Sequence, residues 1–178
     1  MATESQHYAI IIMGVCGVGK TSVGRTLAAR LGARFIEADD YHSDENRNAM
    51  AQGIPLSDEM RLPWLERLSV AAETARQTET VVMACSALKR SYRDLLRDGI
   101  KNPQFVFLNG NRDLIAERIS KRSDHFMPLS LLDSQIAILE LPTPDEHVLS
   151  VDIAPSKSVV DDTVEQTVRS HSFFHQTT

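Results

Sequence analysis

The sequence predicts an α/β fold in which a parallel five-stranded sheet carries helices on both faces. Five short runs are apolar throughout rather than alternating, which is typical of strands buried on both sides. Segments with helical spacing separate these runs, and a regular alternation of strand and helix is typical of a parallel sheet. The length of 178 residues is that of one domain. We therefore expect a single domain over residues 1–178.

The predicted elements follow one another in a simple order. The strands are predicted over Tyr8–Met13, Arg34–Ala38, Val81–Cys85, Gln104–Leu108 and Val148–Ile153. The first helix follows the first strand, because Val23, Leu27 and Leu31 recur at helical spacing and Gly32 is a suitable C-cap. Further helices are predicted over Trp64–Ala75, Ser91–Leu96, Asp113–Ile119, Leu131–Leu139 and Val159–Val168.

Two segments interrupt this alternation. Residues 39–63 are polar and contain Gly53, Pro55 and Pro63, and residues 121–130 mix basic, acidic and proline residues. Long excursions from a compact α/β core are usually lids or binding segments. We expect a substrate-binding segment at about residues 39–65, a lid at about 121–135 and a frayed tail at about 170–178.

Composition and charge exclude several classes of protein. Lys and Arg number 19 against 24 acids, for a net charge of −5, which argues against a nucleic-acid or membrane partner. Cys16 and Cys85 lack the pattern of a disulfide scaffold or a zinc site. No apolar run approaches the roughly 18–20 residues that span a bilayer, and the amino terminus has no signal-peptide pattern. We expect a cytoplasmic protein.

A phosphate-binding loop follows the first predicted strand. Gly14–Thr21 matches G-x-x-x-x-G-K-[ST] between a strand and a helix, as the mechanism of that loop requires. Its glycines let successive N–H groups face a phosphate chain, with Lys20 reaching the β- and γ-phosphates and Thr21 a ligand for Mg²⁺. The predicted nucleotide-binding residues here are Gly14, Val15, Cys16, Gly17, Val18, Gly19, Lys20, Thr21 and Ser22. A glycine-rich turn with an incidental lysine is the alternative interpretation.

Acidic residues follow the second predicted strand, at the edge of the sheet that faces the ligand. Asp39 is predicted to be the base that accepts the proton of an attacking hydroxyl. Glu37, two residues earlier and on the same strand face, is predicted to lie near the metal. The alternative is an acid cluster at the start of a helix.

Because the chain lacks the N/T-K-x-D motif that reads guanine, a small-molecule kinase is favoured over a switch GTPase.

Several motifs together resemble the gluconokinase family, small P-loop kinases related to shikimate kinase. The resemblance covers about residues 10–160. It rests on Gly14–Thr21, Asp39–His42, Asn46 with Met50, Gly53–Asp58, Arg61–Leu65, Cys85–Leu96, His125-Phe126 and Leu132–Gln135. The segments around Gly53–Trp64 and Cys85–Lys89 are the specific ones, since many families share the phosphate loop.

The resemblance implies a three-layer P-loop kinase fold with a mobile lid, and a homodimer. It also implies ATP-dependent phosphorylation of D-gluconate at its 6-hydroxyl. A polyhydroxy carboxylate needs a cation and several hydrogen-bonding partners, and Arg61 suits a planar carboxylate through bidentate contacts. The predicted substrate residues are Asp39, His42, Arg61, Ser86, Lys89, Arg90, His125 and Gln135. The alternatives are a solvated helix arginine for Arg61, a basic helix face for Lys89 and Arg90, and a structural turn residue for His42.

The lid carries the remaining candidates. By resemblance, Arg122 is predicted to close over the transferred phosphoryl group, where it would offset charge on the equatorial oxygens. Arg118 is the second choice and is placed with the nucleotide, and Pro155 is placed near the adenine ring. The chain departs from the family at Ser123 and Asp124, where most members have a basic residue and glycine. It also departs at Glu37, which replaces an aspartate, and at Val18, which replaces a small polar residue.

Two other functions are weighed against this one. A related kinase that acts on shikimate or another polyol acid would share the loop and the lid but differ in its acceptor pocket. A nucleotide-binding regulator without transfer activity would bind ATP and form no product.

Overall fold

The computed structural model describes residues 7–122 and 128–171, and it contains a parallel sheet. The strands are Ala9–Met13 (β1), Arg34–Glu37 (β2), Val81–Ala84 (β3), Gln104–Asn109 (β4) and Leu149–Asp152 (β5). They pair in the order β2-β3-β1-β4-β5, and every pairing is parallel. The five predicted strands are confirmed, with each end within about one residue of its expected place.

The helices lie on both faces of this sheet. They are Lys20–Leu31 (α1), Asp44–Ala51 (α2), Asp58–Arg76 (α3), Arg90–Gly99 (α4), Arg112–Ser120 (α5), Leu129–Ile138 (α6) and Lys157–Ser170 (α7). Short 3₁₀ helices cover Ala38–Tyr41 and Pro144–Glu146. Within the described ranges, no helix is long and apolar enough to cross a bilayer.

Two apolar clusters hold the three layers together. On one face, alternate residues of β1 such as Ile10 and Ile12 pack with α1, α5 and α7. On the other face, Ile11 and its neighbours pack with Leu68 of α3 and Leu96 of α4. Because both faces are covered, the central strands are apolar throughout, which is why their sequences do not alternate. The predicted three-layer α/β fold is confirmed.

Local capping explains where several helices begin and end. Gly32 adopts a left-handed conformation, with φ of 62°, and closes α1 as predicted. The structure corrects the start of α3, which begins at Asp58 rather than Trp64. The Ser57 hydroxyl accepts a hydrogen bond from the Met60 N–H and caps the helix there, and Pro63 lies inside the helix without ending it.

The helix α2 was not predicted. Hydrophobic periodicity does not reveal it, since Asn46 is its only buried residue. Its signal is local instead, because the Ser43 hydroxyl caps the Asn46 N–H, and Asp44 and Glu45 occupy the first turn. The segment predicted as an excursion from the fold therefore contains a regular helix.

Candidate active site

A cavity of about 490 Å³ lies at the carboxyl edge of the sheet, where β1, β2 and β3 end. This is the edge at which open parallel sheets bind their ligands. The cavity brings together many residues that the sequence predicts to be functional. They are Cys16, Gly17, Gly19, Lys20, Thr21, Ser22, Glu37, Asp39, His42, Arg61, Ser86, Arg122 and Gln135.

The phosphate loop forms one wall of the cavity. Gly17 and Gly19 have φ values of 84° and 100°, which few other residues adopt. A Cβ at Gly17 would also lie 2.6 Å from the Ile119 side chain, so α5 packs directly on the loop. The helix α1 begins at Lys20 without a side-chain cap, which leaves its first N–H groups available to an anion.

Lys20 is held within the loop. Its ammonium donates a hydrogen bond to the Val15 carbonyl at 2.8 Å. Burial lowers the pKa of Lys20, and the charge of Asp39 opposes that shift. A phosphate chain would give this ammonium a charged acceptor in place of a neutral carbonyl.

The helix α6 reaches over the loop from the opposite side. The Gln135 side-chain carbonyl accepts a hydrogen bond from the Cys16 N–H at 2.8 Å. Gln135, predicted to bind substrate, therefore contacts the phosphate loop in this structure. Burial raises the pKa of the Cys16 thiol, which is the opposite of what a reactive cysteine requires.

Thr21 and Glu37 meet at the end of β2. The Thr21 hydroxyl donates to a Glu37 carboxylate oxygen at 2.5 Å. Burial raises the pKa of Glu37, and the hydrogen bond from Thr21 opposes that shift. Two neighbouring oxygen donors suit Mg²⁺, which takes few protein ligands and completes its shell with water and phosphate. The residues therefore fit the metal that the sequence predicts.

Asp39 faces the cavity from the 3₁₀ helix that follows β2. Its side chain is 78% exposed, so solvent and substrate both reach the carboxylate. The structure corrects one step of the sequence argument, because Asp39 lies beyond the strand and does not share its alternation with Glu37. Both residues still line the same cavity.

Arg61 is buried at the cavity wall, and its residue surface is only 7% exposed. Its guanidinium lies over the Tyr92 ring, 5.6 Å from the centroid. Among residues 7–122 and 128–171, that guanidinium has no hydrogen-bond acceptor and no ion pair. Its nitrogens are therefore available to a ligand in the cavity, and an anionic ligand would suit them, although the Asp58 carboxylate lies near enough to interact with Arg61 electrostatically.

Other predicted residues lie outside the cavity lining. The Lys89 ammonium is 3.0 Å from Asp58, and the Arg90 guanidinium is 2.6 Å from Asp145. The Arg118 guanidinium donates to the Ile153 carbonyl at 2.6 Å and also approaches the Pro155 carbonyl. Gly14, Val15 and Val18 belong to the loop but face away from the cavity, within or next to the core. His125, Ser123 and Asp124 fall outside the described residues.

Sequence reasoning missed a mostly apolar part of the cavity wall. The residues concerned are Met50, Pro55, Leu56, Trp64, Leu131, Ser134, Ala137 and Ile138. A signal for four cavity residues was present, because positions 131, 134, 135 and 138 share one face of a helix. Trp64 is buried, and its indole N–H donates to the Ala38 carbonyl at 2.8 Å.

A parallel α/β sheet, a phosphate loop at its central strand and a carboxylate facing that loop together define a P-loop kinase of small molecules. The family model described as shikimate kinase matches residues 16–168. The thermosensitive gluconokinase of Escherichia coli K12 is 48% identical over 155 residues, which are 86% of this chain and 81% of that protein. The gluconokinase of Arabidopsis thaliana is 40% identical over 89% of this chain and 91% of its own.

Solved structures agree with these relatives. A gluconokinase from Sinorhizobium meliloti 1021 superposes with a TM-score of 0.87 at 39% identity, over 97% of this chain and 99% of that one. A shikimate kinase from Aquifex aeolicus shares the fold, with a TM-score of 0.55 at 15% identity. The chain belongs to the gluconokinase family, within the wider group that the shikimate kinase model describes.

Proposed function

We propose that this protein transfers the γ-phosphoryl group of ATP to the 6-hydroxyl of D-gluconate. The observation that carries the choice of substrate is the Arg61 guanidinium, which forms no hydrogen bond or ion pair among the described residues and faces the same cavity as the phosphate loop. A sugar acid supplies both the carboxylate that Arg61 lacks and the hydroxyl that attacks phosphorus. Relatives named gluconokinase at 40–48% identity favour the same substrate.

The nucleotide occupies the loop side of the cavity in this proposal. The loop N–H groups and the Lys20 ammonium hold the phosphate chain, and Lys20 leaves the Val15 carbonyl for a phosphate oxygen. Thr21 and Glu37 would hold Mg²⁺, which when bound offsets the negative charge of the phosphates. Arg118 and Pro155 remain candidates for the nucleoside side, since they lie together next to the loop after β5.

The acceptor occupies the other side. Arg61 binds the substrate carboxylate, and Ser86 and Gln135 hydrogen-bond its hydroxyls. Asp39 takes the proton of the 6-hydroxyl as that oxygen bonds to the γ-phosphorus. The bond to the β-phosphate oxygen then breaks, ADP leaves, and Arg122 offsets charge on the transferred group. Lys89 and Arg90 have no place in this arrangement, because other carboxylates already engage them.

We also propose that the enzyme is a cytoplasmic homodimer. The dimer is carried over from the resemblance to gluconokinases. Two free cysteine thiols suit a reducing compartment. Light scattering coupled to size-exclusion chromatography measures the mass of the assembly, and the mass of a single chain would refute the dimer.

A coupled assay of ADP release tests the reaction. Gluconate should stimulate ADP release, whereas shikimate, glycerate and nucleoside monophosphates should not. Stimulation by shikimate alone would identify the related kinase, and ATP binding in calorimetry without any product would identify the regulator. Asp39→Asn should lower kcat by roughly 100-fold or more, because it removes the base. The KM for ATP should stay the same, and an unchanged kcat would exclude Asp39 as the base.

A further inference from the structure

The segment that carries Asp39 is fixed in place by side chains from α2 and α3. The Trp64 indole donates to the Ala38 carbonyl, and the Arg67 guanidinium donates to the Tyr41 carbonyl. Arg47 donates to two further carbonyls of the same segment, those of residues 40 and 42, at 2.8 and 3.2 Å. Three side chains therefore hold the backbone of residues 38–42 in place, while the Asp39 side chain itself is exposed.

His42 is the side chain of this segment that faces Asp39. Its side chain is only 3% exposed, and its ring stacks on Trp64 with centroids 4.2 Å apart and planes 16° apart. The Nε2 atom lies 3.8 Å from an Asp39 carboxylate oxygen. That separation is longer than a hydrogen bond, as is common for catalytic contacts in structures without substrate.

Asn46 determines where the imidazole carries its proton. Its amide nitrogen donates to the Met60 carbonyl at 3.0 Å, which fixes the orientation of the amide, because the amide oxygen could not face a carbonyl. The same nitrogen lies 3.3 Å from the His42 Nδ1 and has a second hydrogen to give it. The Nδ1 atom is therefore the acceptor, and the proton of a neutral imidazole is on Nε2, towards Asp39.

The surroundings of His42 favour this neutral form. Burial lowers the pKa of His42, and Asp39 opposes that shift. The guanidinium groups of Arg47, Arg61 and Arg67 act in the same direction as burial. The geometry of the Asn46 contact and this environment agree on a neutral ring with an N–H donor at Nε2.

We propose that His42 is a positioning residue, whose Nε2–H holds one oxygen of Asp39 so that the other oxygen faces the acceptor hydroxyl. The inference rests on the proposed function, because it assigns Asp39 as the base. It assigns Asn46 the task of keeping the proton on Nε2, and Trp64 the task of holding the plane of the ring.

Two substitutions at His42 separate this role from a structural one. His42→Phe keeps a flat ring for Trp64 but removes the N–H donor, whereas His42→Gln keeps an N–H donor near the position of Nε2. We expect His42→Phe to lower kcat roughly 10- to 100-fold with an unchanged KM for ATP. His42→Gln should recover most of that loss. Equal kcat values in the two variants would overturn the proposal.

A double-mutant cycle tests whether His42 acts through Asp39. In an Asp39→Asn background, His42→Phe should change the residual kcat by less than about twofold, since the carboxylate that it positions is already lost. Full additivity of the two losses would overturn the proposal. If the wild-type enzyme is not stimulated by gluconate, the proposed function fails; if it is stimulated and His42→Phe matches it, only this inference fails.

A measurement on the unmodified protein does not depend on whether the variants fold. Nitrogen-15 correlation spectra of labelled histidine distinguish a protonated ring nitrogen from a bare one. At neutral pH, the His42 spectrum should show a proton on Nε2 and none on Nδ1. A proton on Nδ1, in the neutral Nδ1–H tautomer or in the charged ring, would overturn the proposal.

Discussion

Two buried arginines, Arg61 on α3 and Arg93 on α4, differ in the contacts that their guanidinium groups make. Arg93 is fully buried, and its guanidinium donates to both oxygens of Glu146, at 2.6 and 2.8 Å. It also donates to the Ala87 and Leu88 carbonyls, at 3.1 and 3.2 Å. Arg61 is almost as buried, but within the described chain its guanidinium forms no hydrogen bond or ion pair, lies over the Tyr92 ring and interacts with the Asp58 carboxylate only at longer range.

The difference shows that the partners of a buried charge, rather than its burial, indicate its role. A fully paired arginine contributes to the frame, and Arg93 fixes the loop that follows β3 and carries Ser86 into the cavity. A cation that faces a cavity and has no ion-pair partner is available to a ligand, and a bound carboxylate would supply acceptors for it.

The largest expected effect is on stability at Arg93. Arg93→Met should lower the free energy of unfolding by about 3 kcal/mol, because the buried Glu146 loses its bidentate partner. Arg97 still contacts one Glu146 oxygen, at 3.0 Å, which limits the loss. Urea denaturation measures the change. The control is Arg93→Met combined with Glu146→Leu, which should be more stable than Arg93→Met alone, and equal stability would contradict the paired role.

The next effect is on substrate binding at Arg61. Arg61→Met should raise the KM for gluconate roughly 30-fold, equivalent to about 2 kcal/mol, since a charge-assisted contact is lost. The free energy of unfolding should not fall, because no partner is left unpaired. Arg61→Lys keeps the charge without the planar fork, so its KM for gluconate should lie between those of the wild type and Arg61→Met. A destabilised Arg61→Met with an unchanged KM would reverse the comparison.

This contrast marks the limit of what the sequence could predict. The strand and the helix that flank the phosphate loop were predicted correctly, because the motif is contiguous and both elements adjoin it. The sequence favoured Arg61 but could not exclude Lys89 and Arg90, since the carboxylates that engage the latter two lie 31 and 55 residues away. The helix α2 was missed for a different reason, because it contributes almost nothing to the core.

Acid should weaken the contribution of the Arg93–Glu146 pair to stability. The hydrogen bonds from Arg93 hold the pKa of Glu146 at about 2, below its usual value. The unfolded chain therefore binds the proton more readily, and the stability that this pair gives at neutral pH is lost as the pH falls from about 4.5 towards 2. Denaturation across that range measures the slope. Glu146→Gln should flatten it, and an equal slope in both proteins would contradict the assignment.

The smallest effect is expected at Arg90, which tests whether pairing rules out a substrate role. The Arg90 guanidinium is exposed and paired with Asp145, and it donates to the Thr143 hydroxyl at 3.1 Å. Arg90→Ala should change the KM for gluconate by less than about twofold, because exposed ion pairs contribute little and no cavity contact is removed. Asp145→Ala is the matched control, since it frees Arg90 without removing it. A rise in KM for Arg90→Ala as large as that for Arg61→Met would mean that Arg90 leaves Asp145 to hold the substrate. In that case, the partners that a cation has in this structure would not predict its role.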